Sequence, residues 1–447
     1  MVKKILSPVE KFMHLEASSG IMLIIATLIA LFMANTGMHH LYHDILHFPI
    51  NLEIGSLMLH GSVHHWVNDA LMVVFFFVVG LEIKREMISG ELSSPKKAAL
   101  PMFAALGGMV VPALFYVFLN MSGAEGTALN GWGIPMATDI AFAVGVIALL
   151  GKRVPFSLKI FLLALAIVDD LGAVFVIAAF YTEQISGPAL GIAALGCLAI
   201  MFFRFIGVRS VLAYILLGIV VWLGFFTSGV HATIAGVVIG FLTPSKPLFS
   251  GDDLGKKIND LSQKTLNKIN YFKDDTATTT ALEEKDRKNF FELRNMSFEA
   301  LSPIDRIIDM MHPWVSFFIM PVFAFCNAGV VISPEAAGSF FSSPVSLGIV
   351  LGLVVGKPVG ILIFSALSVV LKVAALPKGV TWTHVLGLGF LGGIGFTMSL
   401  FVTGLAISDP LSSDLAKMGI LTASLLASVC GAGILILVSN KEKEDDA

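Results

Sequence analysis

Two neighbouring acids, Asp169 and Asp170, stand in the run ALAIVDDLGAVF, which is otherwise uncharged. Adjacent side chains on a helix point about 100° apart, so both carboxylates can line one water-filled funnel without stacking. Two anions held close in a poorly solvated place do not easily ionise together. The pair should therefore take up a proton at ordinary cellular pH and exchange it for something else. A small hard cation is the natural competitor, because oxygen ligands suit it. Other charges also sit inside apolar runs: Asp69 in VNDALMVVFF, Asp139 in GIPMATDIAF, and Lys357, a lone cation in VVGKPVGIL. A charge in mid-membrane costs about 2.5–3.5 kcal/mol on insertion scales, so each needs a reason. Lys357 needs a counter-charge, and Asp169 or Asp170 is the generous supply. Such a pair is either static or a switch in which the lysine releases its aspartate when cation or proton arrives.

The elements that carry these residues read as membrane helices. Of 447 residues, 56% are hydrophobic and the 42 glycines raise the apolar share to about 65%, while 14% are charged. A soluble domain would have roughly 45–50% and about 25%. Residues 245–309 hold 23 of the 61 charged side chains, so the remainder is poorer still in charge. The apolar tracts are long and lack strand-like alternation, which fits helices of about 20 residues rather than barrel strands. Twelve spans are expected, at 14–34, 64–86, 97–119, 130–150, 156–180, 187–206, 209–225, 228–243, 313–332, 344–371, 382–406 and 413–438. Lys and Arg fall on alternate hairpin ends (Lys84/Arg85, Lys152/Arg153, Arg204/Arg209, segment 245–309, Lys372/Lys378, Lys441/Lys443) and are missing from the loops between. Both termini are therefore expected in the cytoplasm. The chain divides into a membrane half at 1–244, a solvated insertion at 245–309, a second membrane half at 310–440 and a tail at 441–447.

A net charge of −3 leaves no basic footprint for nucleic acid. Cys197, Cys326 and Cys430 sit singly and read as packing residues. The N-terminus lacks a signal-peptide pattern, and no metal triad, nucleophile elbow or phosphate loop argues for an enzyme. The loop 35–65 holds seven of the eleven histidines, and His39 with His43, or His60 with His64, would share a helix face. No Cys or finger spacing supports a metal there. Within this loop FPINLEIGSLML predicts a short hairpin.

Gly and Pro interrupt the fourth span (GWGIPMATD) and the eleventh (GLGFLGGIGFTMS). Broken helices leave unpaired backbone groups and opposed dipole ends, useful in a membrane only where they line a cavity. Spans 3–5 and 10–12 are three-helix units of opposite orientation whose middle member is the broken one, which is the inverted-repeat pattern of transporters. His231 in SGVHATIAG and His312 in MMHPW are candidate proton-responsive groups, as imidazole side chains are. His312 falls on the same side as Glu82, Arg85 and Glu86, a grouping able to tune ion access with pH.

The strings NDALMVVFFFVVGLEIKRE, GWGIPMATDIAFAVGVIALLG, LKIFLLALAIVDDLGAVF, SGVHATIAGVVIGF, HPWVSFFIMPVFAFCNAGV, GKPVGI and GIGFTMSLF resemble the NhaA-type bacterial sodium/proton antiporters across all twelve spans. Inverted repeats are already a type feature of that family, so the symmetry and the resemblance count once. The resemblance implies an all-α polytopic fold of twelve helices, the fourth and eleventh broken and crossing near the bilayer midplane. It implies that Asp169 and Asp170 exchange sodium and protons, with Thr138 beside them, Asp139 balancing the helix ends and Lys357 as the paired lysine. It further implies a pH-responsive cytoplasmic entrance of Glu82, Arg85, Glu86 and His312, and a homodimer through the external loop 45–60. The place implied is the bacterial inner membrane, crossed many times. Four residues before the HPW histidine the family carries an acid, whereas this chain has Ile308 followed by Asp309. The shift by one residue turns the charge about 100° around the helix.

The function expected is secondary antiport: sodium or lithium leaves in exchange for a larger number of protons, moving net charge, regulated by pH and without a cofactor. The rival is a sodium-coupled symporter of an organic solute. That would need a roomier site with aromatic or cationic recognition groups, whereas the apolar runs offer carboxylates, Thr138 and one lysine.

Overall fold

The computed structural model describes residues 16–54, 57–121, 128–182, 185–208, 211–245, 259 and 302–445. The insertion expected at 245–309 lies almost wholly outside the described residues. Helix α1 (Glu16–Ala34) meets α2 (His39–His47) at 114°. Strands β1 (Pro49–Ile54) and β2 (Leu57–Ser62) then pair antiparallel, Pro49 opposite Ser62 and Ile54 opposite Leu57. This is the hairpin anticipated in FPINLEIGSLML. His60 stands on β2, so it does not share a helix face with His64.

Helices α3 (Val63–Ser89) and α4 (Pro95–Asn120) follow. The fourth span opens as a 3-10 segment, Ala128–Met136, and resumes as α5 (Ile140–Leu150). Next come α6 (Phe156–Phe180), α7 (Gly187–Phe205), α8 (Val211–Ser228) and α9 (Thr233–Leu242). The second half comprises α10 (Pro303–Asn327), the short α11 (Pro334–Ser339), α12 (Pro344–Val370), α13 (Trp382–Gly392), α14 (Phe396–Ala406) and α15 (Pro410–Asp445). Exposed Asp409 stands ahead of α15 and accepts from the Ser412 amide at 2.8 Å. The Ser412 hydroxyl and amide hold its carboxyl below the usual carboxylate range.

Helix occupies each of the twelve expected positions, yet among the described residues length and composition by themselves pass eight as spans, or ten if α1/α2 and α13/α14 each count as one. Helices α8 and α9 fall short because the chain turns at His231 between them. The ninth span begins ten residues before its expected start, at Pro303 rather than 313. Ser302 caps that helix, accepting from the Asp305 amide at 3.2 Å. Its first turns are amphipathic and bury Ile304 and Ile308 against Leu81 of α3, so a search for uncharged residues misses them.

The polarity of the bundle is inverted relative to a soluble protein. Phe205 is 88% exposed and Phe118 76%, while Lys357, Asp139 and Thr138 are fully buried. Apolar side chains facing outward and charges facing inward are what a lipid surround selects. The protein is a multi-pass membrane protein.

Helices α4 and α12, members of the two inverted units, touch backbone to backbone. A Cβ at Gly107 would lie 2.2 Å from the Gly360 carbonyl oxygen, and one at Gly360 would lie 2.1 Å from that of Gly107. Small residues at such crossings let helices approach closely. This contact sets Lys357 against α4, since a Cβ at Gly108 would sit 3.6 Å from its Cε. Gly107→Val forces the two backbones apart and is expected to lower the melting temperature in detergent by several degrees. Wild-type melting of that variant would show that the contact is not close-packed.

Candidate functional site

The site is built where the two interrupted spans cross. After Met136 the chain leaves its 3-10 turn, passes through the non-helical residues Ala137–Asp139 and restarts as α5. The other span stops at Gly392 and restarts at Phe396, with a 46° bend. The two breaks are tied together: the Asp139 amide donates to the Ile394 carbonyl at 2.7 Å, and the Thr138 hydroxyl to the Gly392 carbonyl at 2.8 Å. The Ser399 hydroxyl adds a bond to the Ile134 carbonyl at 2.7 Å.

Each break leaves one positive helix start and one negative helix end in a dry interior. Asp139 answers the two starts. Its carboxylate accepts from the Phe142 amide of α5 at 2.9 Å and from the Thr397 amide of α14 at 3.1 Å, and also from the Thr397 hydroxyl. One buried anion thus caps two helices. Lys357 answers a negative end, because its ammonium donates to the Met136 carbonyl. The Thr138 hydroxyl covers the other at Gly392.

Lys357 also donates to Asp169 Oδ2 at 2.6 Å, with both side chains fully buried. Of the two acids offered by the sequence, Asp169 is the partner. The remaining Asp169 oxygen, Oδ1, and both oxygens of Asp170 are buried with no protein hydrogen-bond partner. Thr138 lies beside Asp169. The charges that Asp170 meets are Asp169, Asp139 and Glu82, all acidic, with Lys357 on the other side of the balance. A buried carboxylate oxygen without a donor is costly, by about 1–3 kcal/mol and more when charged. A bound proton or cation removes that cost, and the oxygens offered are of the type an alkali ion takes. Among the described residues, no grouping of three or more His, Cys, Asp or Glu side chains could hold a metal ion.

The expected entrance group is brought together in part. Glu82 lies on α3 beside Arg85 and Glu86 and is close enough to be felt at Asp170. Glu86 accepts from the Glu91 amide at 2.9 Å, closing the turn after α3. His312 is exposed on α10, 3.4 Å from the Ser316 hydroxyl, and that helix packs on α3 through Ile304 and Ile308. Ile308 is 3% exposed whereas Asp309 is exposed, so Asp309 does not take the buried position that Ile308 fills against α3.

Two participants escaped the sequence reading. Thr397, in the quoted string GIGFTMSLF, holds Asp139 through both amide and hydroxyl; its place just past the second break, mirroring Thr138 at the first, was the available signal. Lys84 read only as a topology charge, yet its ammonium donates to the Phe241 and Thr243 carbonyls at 2.6 Å each and so closes the end of α9.

With that geometry in place, the relationship of the chain to known proteins is direct. Residues 10–435 match the family described as Na+/H+ antiporter 1. The chain belongs to that family. It is 44% identical to the Na(+)/H(+) antiporter NhaA 2 of Sorangium cellulosum (strain So ce56) over 438 residues, covering 98% of this chain and 91% of that protein. It is 46% identical to the Na(+)/H(+) antiporter NhaA 1 of Psychromonas ingrahamii (strain DSM 17664 / CCUG 51855 / 37), with 95% of each chain covered. It is likewise 46% identical to the Na(+)/H(+) antiporter NhaA of Acidithiobacillus ferrooxidans (strain ATCC 23270 / DSM 14882 / CIP 104768 / NCIMB 8455), covering 98% and 99%. These relatives are transporters by name, and the Na+/H+ antiporter 1 match spans both broken helices of the present chain.

Proposed function

We propose that this sodium/proton antiporter works by letting sodium, or lithium, and protons compete for Asp169 and Asp170. The observation that carries the reading is the set of three buried carboxylate oxygens without protein donors. When protonated, the pair is neutral and tolerable in a dry interior. When a cation arrives, it takes the place of the protons, with the oxygen of Thr138 alongside. Lys357 holds Asp169 in the absence of cargo and gives it up on binding. Asp139 keeps the two helix starts neutralised while the crossing moves, so the unit can shift without exposing bare dipole ends.

Cytoplasmic sodium displaces protons, the crossing moves, sodium leaves outside and the acids reprotonate. More protons enter than sodium ions leave, so each cycle moves charge, driven by about 2.3 kcal/mol per charge per 100 mV. Both termini lie in the cytoplasm and the membrane is the bacterial inner membrane, a placement supported by the alternation of Lys and Arg along the chain. Glu82, Arg85, Glu86 and His312 adjust access from that side with pH; the proximity of Glu82 to Asp170 supports this role. The hairpin β1–β2 joins two copies, a reading supported by its formation as a regular, outward ribbon with Leu52 44% exposed.

Competition has a sharp signature. In proteoliposomes carrying a preformed proton gradient, the sodium concentration for half-maximal collapse should rise as pH falls, by up to about tenfold per pH unit for each competing proton. Lithium should behave likewise and potassium should be inert. A half-maximal sodium concentration that stays constant across pH would remove the mechanism.

A further inference from the structure

Tyr181 stands away from the crossing, yet it joins the two elements that supply the exchange site. It ends α6, about 16 Å along the axis from Asp170 at 1.5 Å per residue. Its phenol reaches the 3-10 segment that opens the broken fourth span, donating to the Asn130 carbonyl at 2.6 Å and accepting from the Gly133 amide at 3.3 Å. Those two backbone groups are three residues apart, the spacing that a 3-10 turn pairs with itself. One hydroxyl from α6 thus takes both ends of the turn. Trp132, inside that turn, meets Phe180 edge to face, with ring centroids 5.0 Å apart.

The approach depends on a glycine. A Cβ at Gly133 would lie 2.7 Å from the phenol oxygen, so a side chain there would push the hydroxyl off the backbone. The end of α6 is fixed in its turn. A ring nitrogen of His231, between α8 and α9, lies 2.6 Å from the Tyr181 carbonyl.

From Gly133 the chain runs directly into the site. The Ile134 carbonyl accepts from Ser399, the Met136 carbonyl from Lys357, and the Thr138 hydroxyl donates to Gly392. At the centre, the fourth span and α6 are tied through Lys357, which donates to the Met136 carbonyl of one and to Asp169 of the other. Thr138 beside Asp169 is a second central tie. Both lie where the cation enters, and the exchange cycle proposed above releases the first. Tyr181 joins the same two elements at a distance from the cation, so its bonds need not break when the site is loaded.

We propose that Tyr181 is a positioning residue for the transported cation: its phenol keeps Thr138 in register with Asp169 and Asp170 once Lys357 has let go. This deepens the exchange reading and rests on it. In the empty site Lys357 itself holds the two elements together, so the phenol matters less there. Loss of the phenol oxygen weakens the cation-loaded state more than the empty one. Such a change raises the half-maximal cation concentration rather than lowering the maximal rate.

The test is Tyr181→Phe, which removes the oxygen and keeps the ring. In proteoliposomes the sodium concentration for half-maximal exchange should rise several-fold, with a much smaller change in maximal rate. In detergent, the deficit in melting temperature against wild type should be larger in sodium than with choline in its place, because weaker binding gives less stabilisation. A purely structural bond would lower both melting temperatures equally, and that result overturns the proposal. Gly133→Ala reaches the same contact from the other side and should give the same rise in half-maximal sodium. Because the two changes break one contact, the double variant should be no worse than the more impaired single one. Additive losses, or wild-type half-maximal sodium in Tyr181→Phe, overturn the role. Asp170→Asn separates the two readings. If it is inactive while Tyr181→Phe is unchanged, the exchange pair stands and only the positioning role fails. Exchange at the wild-type rate by Asp170→Asn instead removes the exchange reading and this role with it.

Discussion

Asp170→Asn leaves sodium-driven proton movement at background while the protein still inserts, folds and purifies. Asn cannot take up or release a proton in the working range, and it replaces an anionic oxygen with an amide that holds an alkali ion poorly. Folding should survive because neither Asp170 oxygen makes a protein hydrogen bond, so no partner is orphaned by the change. The loss of a buried, unpartnered anion is expected to raise the melting temperature of the variant above that of the wild type. This is the pattern of a residue that trades stability for function. Exchange at the wild-type rate by Asp170→Asn would end the assignment. So would a large loss of stability, because that would reveal a structural partnership at odds with the geometry.

Lys357→Ala should disturb the same site in a different way. It removes the partner of Asp169 and the donor to the Met136 carbonyl at once, and both groups remain fully buried. Breaking a buried ion pair from one side costs about 3–5 kcal/mol, because the surviving charge is left uncompensated. The variant should therefore melt well below the wild type in detergent. Adding Asp169→Asn removes the stranded charge and should restore part of the loss, although the Met136 carbonyl stays unsatisfied. Transport separates a switch from a static tie. If Lys357 releases Asp169 in each cycle, the vesicle response of Lys357→Ala to membrane potential or its pH profile must change. A variant that is merely less stable, with voltage response and pH profile intact, would make the pair structural.

Much of the candidate site was legible before any coordinates. The adjacent acids, the lone lysine and the ATD motif stand out because a charge in an apolar run is expensive and therefore rare. The positions of the two breaks were visible as Gly and Pro clusters, since these residues interrupt helices through local sterics and a missing amide. The hairpin was readable for the same local reason. Other features were not. The 114° turn between α1 and α2 lies in a segment without a breaking motif of that strength, NTGM, and the early start of α10 is an amphipathic surface whose meaning depends on Leu81 across the interface. The charge carried by Asp309 was present in the sequence, but whether it could replace a buried acid depended on which side of α10 meets α3.

Composition and hydropathy alone establish that the chain crosses a membrane many times and that a small number of buried charges must be balanced there. Hydropathy and the scarcity of ionisable residues are sums over local composition, so they survive without knowledge of the fold. How the charges are matched follows from the packed fold alone: Lys357 to Asp169 and the Met136 carbonyl, Asp139 to two helix starts at once, and Asp170 to no protein donor. Apart from the Phe142 amide, three residues along from Asp139, each partner lies on a distant element, up to 258 residues away along the chain. Electrostatic pairing in a dry interior depends on distance in space, to which the order of residues is blind.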